Sequence, residues 1–194
     1  MAEKVSYNTG KNISPVAFIF ACPGQKEQKA GKVVAGATGK NLDKLLDVLS
    51  ASENERIRAL FPSSDRYDYL ITNSSDSIHY PAYDNTSLPS KSEYSDDDNL
   101  NRLCRELDCS AYVIAFGIQA KEACKLVERK YRLCESSHRP VFITSLPHLS
   151  LLALNQISED TDSNRIERGD PDATLKRLRV VAKMLESQLE EYLS

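Results

Sequence analysis

Apolar positions follow two alternating patterns along the chain. Four short unbroken runs read as buried strands: Val16–Phe20, residues 67–72, residues 111–116 and residues 141–145. Between them apolar residues recur at three- and four-residue steps, which predicts helices. Leu42, Leu45, Leu46 and Leu49 mark one helix over residues 39–51, with Thr38 as its expected cap. A short helix over residues 53–60 stops before Phe61-Pro62. Leu100, Leu103 and Leu107 mark a helix over residues 96–107, and Ala120, Ala123, Cys124, Val127 and Tyr131 mark another after Gly117. Ser150 opens a short helix. The last helix carries Leu175, Leu178, Val181, Leu185 and Leu189, with Asp170 as its expected cap and Pro171 at its first position. Strands alternating with helices predict an α/β fold: three layers, α/β/α, around a mostly parallel four-stranded central sheet.

The polar stretches complete this picture. Residues 1–14 read as frayed or as an edge segment, and residues 158–169 as a linker. Residues 74–95 have little periodicity, and so long a loop in a compact domain is functional or mobile. Residues 18–46 run from a strand through a Gly- and Lys-rich loop into a helix, which puts the loop at the carboxyl edge of the sheet, where ligands bind in open α/β folds. The loop lacks the Gly-Lys-Ser/Thr ending of a nucleotide P-loop.

A chain of 194 residues with 41% hydrophobic content forms a single domain, residues 1–194, able to bury a core. A net charge of −3 makes no global case for nucleic acid. Locally, however, Lys26, Lys29, Lys32, Lys40 and Lys44 outweigh Glu27 and Asp43 around the Gly-rich loop. A second basic run, Lys125 to Arg139, is interleaved with acids as a solvated helix face would be. The five scattered cysteines suit free thiols in a reducing compartment. With no run near the ~20 apolar residues of a membrane span and no signal-peptide core at residues 1–12, the expectation is a cytoplasmic monomer away from membranes.

Three strand ends carry polar residues unusual for such positions: Cys22-Pro23-Gly24 with Glu27, Thr72-Asn73, and Pro147-His148-Leu149-Ser150. In a parallel sheet all three lie on one edge. A carboxamide and an imidazole converging there suit recognition of a planar base by its hydrogen-bonding edge.

In order and spacing these motifs resemble the uracil-DNA glycosylase superfamily, nearest the bacterial and archaeal iron–sulfur type. That type reads G-E-A-P-G, a Glu three residues on, then G-R-P-F-V-G-x-A-G and a leucine-rich helix. This chain reads Phe20-Ala21-Cys22-Pro23-Gly24, Glu27, then Gly31 to Gly39 and its leucine helix. Thr72-Asn73, the strand and helix from Ser110 to Ala120, and His148-Leu149-Ser150 resemble the later motifs. The resemblance implies a DNA glycosylase that flips a uracil or modified pyrimidine out of DNA and hydrolyses its N-glycosidic bond. Asn73 would read the base edge. His148 would stabilise charge on the leaving base. Glu27 would support the loop or orient water. Ala21, Cys22, Pro23, Gly24, Val34 and Asn73 would line the base pocket. Lys26, Lys32 and Ser150 would meet DNA, and Leu149, Leu151 and Leu152 would form the wedge that fills the vacated stack.

Several positions depart from the family pattern. Ala21 stands where the family has its water-activating Glu, and Cys22 where other branches use Asp or Asn. Val34 replaces the Phe that stacks on uracil, which implies a wider pocket. The N-terminal cysteine pair is missing, Ile78 stands at a later ligand position, and Cys104 and Cys109 alone cannot hold a cluster, so neither an iron–sulfur centre nor any metal or cofactor is expected. The superfamily also includes bacterial defence enzymes that remove bulky modified bases from phage DNA, and a wider pocket fits such a substrate. A protein that kept the fold and binds DNA without turnover is the alternative from a different class. Structural roles remain open for each residue: a strand-end Asn can cap a turn, a lone His can be a satisfied core residue, and Cys22 without a base partner reads as a small buried thiol. His79 and His138 read as surface residues.

Overall fold

The computed structural model describes residues 7–133 and 140–194. His138, Arg139 and Cys134 lie outside them. The chain runs through β1 (Tyr7–Asn8), β2 (Val16–Phe20), α1 (Gln25–Ala30), α2 (Ala37–Ser50), α3 (Glu55–Leu60), a 3-10 turn at Arg66–Asp68, β3 (Leu70–Asn73), α4 (Pro81–Asp84), α5 (Lys91–Ser95), α6 (Asp97–Leu107), β4 (Tyr112–Phe116), α7 (Ile118–Leu133), β5 (Phe142–Leu146), α8 (Leu151–Leu154) and α9 (Ala173–Leu193). The sheet order is β1-β3-β2-β4-β5, parallel except for β1.

Two packed clusters make the sheet the middle of three layers. Phe18 and Phe20 of β2, Ile71 of β3 and Ile114 and Phe116 of β4 meet the leucines of α2 and Leu178, Val181, Leu185 and Leu189 of α9. Ala17 and Ile19 of β2 and Val113 and Ala115 of β4 meet Leu100, Leu103 and Leu107 of α6 and Ala120, Ala123 and Val127 of α7 on the other face. Strands buried on both faces read as continuous apolar runs, which is why β2 and β4 stand out in the sequence.

The sheet has five strands rather than the expected four. β1 is two residues long, too short to show alternation, and is held by the Asn8 amide, which donates to the Tyr67 and Tyr69 carbonyls at 3.0 and 2.7 Å. The expected strand over residues 67–72 begins late. The Asp65 carboxylate accepts from the Tyr67 N–H at 2.9 Å and winds Arg66–Asp68 into a 3-10 turn, so only Leu70–Asn73 pairs. The Gly- and Lys-rich loop contains α1, and α2 starts from Gly36 rather than Thr38. Residues 74–95, expected as loop, hold α4 and α5. In α9 the cap is Asp172. Asp170 instead closes a turn onto Ala173 and pairs with Lys176 at 2.6 Å, so Pro171 precedes the helix. The basic run on α7 is largely self-paired, with Lys125–Glu122 at 2.8 Å, Arg132–Glu128 at 2.7 Å and Lys130–Asp97 at 3.0 Å. Among the described residues no helix is long and apolar enough to cross a membrane.

From β2 the chain goes first to β3 on one side and then to β4 on the other. That reversal falls at the carboxyl ends of β2 and β4, the usual ligand position in such sheets.

Candidate functional site

Phe20 and its neighbours occupy the carboxyl end of the sheet. Phe20 stacks on Phe116 with centroids 5.0 Å apart. The edge of the His148 ring meets Phe20 at 6.0 Å and 88°. Gly117 ends β4 with φ +90, and a Cβ there would lie 3.3 Å from the His148 Cβ. A glycine at this turn therefore both allows the positive φ and lets the imidazole come close.

His148 has a defined tautomer when neutral. Its Nδ1 accepts from the Ser150 N–H at 3.1 Å, which leaves Nε2 to carry the proton and donate. Burial holds its pKa below the ordinary histidine value. A neutral ring with an N–H at Nε2 suits donation to a carbonyl or to charge growing on it. The loop after it is anchored from α2, where the buried Asn41 amide donates to the Leu149 carbonyl at 2.8 Å.

Asn73 lies on the same face. Thr72 bonds Glu106 on the α6 side, so the two-residue alternation turns Asn73 toward the side of Ile71, Phe20 and Phe116. It pairs in register with Phe20. Asn73 is 2% exposed, and its Nδ2 has no hydrogen-bond acceptor among the described residues. A buried amide N–H₂ left in this way costs ~1–3 kcal/mol and calls for an explanation.

The backbone around Asn73 is held by a polar network on α6. Arg102 donates to the Asn73 carbonyl at 2.8 Å and to Glu106 at 2.7 Å, Thr72 Oγ1 donates to Glu106 at 2.5 Å, and the Asn99 amide donates to the Ser74 carbonyl at 2.7 Å. Sequence reasoning missed this network and Asn41. Its signal was present: Asn99, Arg102 and Glu106 recur at helical spacing directly beside the leucine stripe of α6.

Glu27 clamps the first loop. One oxygen accepts from the Gly24 N–H at 3.1 Å and the other from the Gly36 N–H at 3.1 Å, so it ties the start of α1 to the start of α2. Val34 is buried with φ 42, a strained setting for a β-branched residue. The turn survives because Gly39 passes beneath it; a Cβ there would sit 1.8 Å from the Val34 carbonyl oxygen. Tyr67 Oη donates to the Val33 carbonyl at 3.1 Å and fixes the turn from outside. Lys32 lies 5.5 Å from the Tyr67 ring centroid.

Cys22 donates weakly to the Ser87 carbonyl at 3.6 Å. Burial, and then Glu93, Asp84 and Glu27, push its thiol up to about 12, so it remains protonated at neutral pH and is no nucleophile. Ala21 and Pro23 are buried. The Ala21 carbonyl accepts from Ser74 Oγ at 2.6 Å and the Ser75 N–H at 3.1 Å. Ala21, Pro23, Val34 and Asn73 are thus each buried and line neither large cavity. Two large cavities lie elsewhere, about 900 Å³ between α2 and α9 and about 580 Å³ beside Tyr131 and Tyr192.

The proposed DNA-facing residues divide. Lys26 and Lys32 are exposed. Leu151 and Leu152 are 51% and 79% exposed on α8, for which Ser150 is the cap. Leu149 is a correction: it is fully buried among the core residues of the α2 and α9 face and cannot take part in a surface wedge. His79 is also not a surface residue. Its ring contacts Asp84 and lies 2.9 Å from Glu93, and its side chain is 10% exposed. Among the described residues no group of three His, Cys, Asp or Glu side chains is placed to hold a metal ion.

No protein-family model matches the sequence, and no curated protein is significantly similar to it.

Proposed function

We propose that this protein is a DNA glycosylase of the uracil-DNA glycosylase type, which receives a flipped-out uracil or modified pyrimidine and hydrolyses its N-glycosidic bond. The observation that carries the reading is the buried Asn73 Nδ2, without an acceptor among the described residues and set on the same sheet face as Phe20 and the His148 ring. Asn73 would pair with the base edge. The His148 Nε2–H would donate to a base carbonyl and stabilise the negative charge that grows there as the bond breaks, an interaction worth more in the transition state than in the ground state. Phe20 would offer an aromatic floor, and the exposed Leu151 and Leu152 would fill the gap left in the stack.

The test incubates the protein with oligonucleotides carrying uracil and with phage DNA carrying hydroxymethylated or glucosylated cytosine, then probes for alkali-labile abasic sites. Turnover abolished by both His148→Ala and Asn73→Ala supports the proposal; cleavage of neither substrate by the wild type refutes it. A second reading, a DNA- or base-binding protein without turnover, is favoured by one observation: both oxygens of Glu27 are engaged and the Cys22 thiol is protonated, which leaves motif one without a free base. It predicts wild-type binding that both substitutions weaken, with no abasic product.

A further inference from the structure

We infer that residues 76–95 form a lid, clamped by His79, that closes over the Cys22–Gly24 loop at the carboxyl edge of the sheet and swings aside to admit a ligand. The ends of the segment are fixed. Ser74 and Ser75 donate backbone N–H groups to the Phe20 and Ala21 carbonyls at 2.7 and 3.1 Å, and Asp96 caps α6. The middle is tied to the sheet edge by the His79 N–H, which donates to the Pro23 carbonyl at 3.0 Å, and by the Cys22–Ser87 contact. No residue from 76 to 88 is buried, and Tyr83 and Leu88 are 63% and 48% exposed. A segment that buries so little apolar surface draws its closure from polar links and belongs to the low-stability end of a fold.

Those links centre on one ring. His79 Nδ1 meets Asp84 at the end of α4, and Nε2 meets Glu93 of α5 at 2.9 Å. Both ring nitrogens face carboxylate oxygens, so one side chain ties both carboxylates. The same residue thus joins the two helices of the segment to each other through its side chain and to Pro23 through its backbone. Beneath the lid Pro23 is buried and the Cys22 thiol is held at the Ser87 carbonyl, so a ligand reaching the Cys22–Gly24 loop requires the lid to open. The inference depends on the proposed function for what passes under the lid, but the lid itself is measured without any reaction.

The cysteines supply the assay. Cys22 lies under the lid, Cys109 is exposed and Cys124 is buried in the α6–α7 core. Labelling the whole protein with N-ethylmaleimide at fixed pH, followed by peptide mass mapping, gives all three rates together. The wild type should label Cys22 far more slowly than Cys109. In His79→Ala the loss of the ring's links to Asp84 and Glu93 should raise the Cys22 rate roughly tenfold or more, with Cys124 unchanged and faster amide exchange confined to residues 76–95. The carboxylates left unpaired beside Cys22 disfavour its thiolate, so acceleration reports opening rather than altered reactivity. Glu93→Gln, which keeps the shape and removes one charge, is read by amide exchange over residues 76–95 alone, because losing this carboxylate also favours the Cys22 thiolate; a smaller rise in exchange is expected there and decides the matter if His79→Ala does not fold. A Cys22 rate that stays at the wild-type value, or that rises only in step with Cys124, overturns the clamp. An opening lid on a protein that excises no base refutes the function alone, and excision with an unchanged Cys22 rate refutes the lid alone.

Discussion

Replacing Asn73 with alanine separates a ligand-binding amide from a structural one. In the free protein the buried Nδ2 lacks an acceptor among the described residues, so the wild type carries a desolvation cost of ~1–3 kcal/mol that the substitution removes. Against this stands the small cavity left behind, about 1 kcal/mol on the scale of a buried Ile→Val change. The α6 network is untouched, because Arg102 bonds the Asn73 carbonyl rather than its amide. The two terms nearly cancel, and Asn73→Ala should lie within ~1 kcal/mol of wild type, of either sign. A structural, fully bonded asparagine would behave differently, since its loss would cost ~2–4 kcal/mol from broken bonds and cavity together. Urea denaturation followed by circular dichroism reads the difference as a midpoint shift at constant slope. The same variant should bind a uracil-containing single strand at least ~10-fold more weakly, the loss expected when a base edge loses its partner. A destabilisation above ~2 kcal/mol would refute the reasoning, whatever happened to binding.

Three further outcomes follow from the same geometry. Glu27→Ala should destabilise by ~2–4 kcal/mol, because two backbone N–H groups lose a charged acceptor and the one on Gly36 is buried; Glu27→Gln, which keeps one acceptor, should recover about half, and equal costs for the two would argue against the clamp. Gly39→Ala should fail to fold or lose several kcal/mol, since its Cβ would overlap the Val34 carbonyl; a melting temperature near wild type would show that the turn can relax. Burial depresses the His148 pKa, so as acid is added below the ordinary value of ~6.5 the unfolded chain takes up the proton first, and the stability that this residue contributes is intact above that pH and lost as pH falls through the folded value. A ring-nitrogen NMR titration should find His148 neutral at pH 6.5, and a midpoint above that would reverse the sign.

The parts of the fold legible in the sequence are those where burial is continuous. β2 and β4 are covered on both faces, and the leucines of α2 and α6 repeat with the helical period, so each leaves an apolar signature. β1 leaves none, because two residues held by a side-chain amide have no period. The late start of β3 was hidden by propensity. Tyr67 and Tyr69 favour strands, but the Asp65 carboxylate bonds the backbone locally and overrides them. At the site, the motifs marked where Asn73 and His148 sit along the chain, and the parallel sheet brings their strand ends to one edge. Sequence could not show which polar atoms find partners, and that distinction separates Glu27, tied at both oxygens, from Asn73, whose Nδ2 has no acceptor among the described residues. Leu149 and Leu152 look alike in sequence; only the backbone path decides that one enters the core and the other faces outward.

The unequal provision of the site bears on the proposed reaction. A glycosidic bond to a base breaks when charge on the leaving base is stabilised and the sugar cation is captured by water. This chain supplies a donor for the first task in the His148 Nε2–H. For the second, Ala21 offers no side-chain base, Cys22 stays protonated and Glu27 holds two N–H groups. A positioned general base contributes typically 10²–10⁴-fold, so a uracil enzyme built this way should be slow by about that factor relative to one with a motif-one carboxylate. The deficit shrinks as the base leaves more readily, because bond breaking then needs less help from the incoming water. Among pyrimidines of equal fit, the rate should therefore rise steeply as the pKa of the departing base falls. Excision of 5-fluorouracil against uracil from the same single strand measures this. A ratio well above unity supports catalysis by leaving-group stabilisation alone, and equal rates would mean that another group in the protein activates the water.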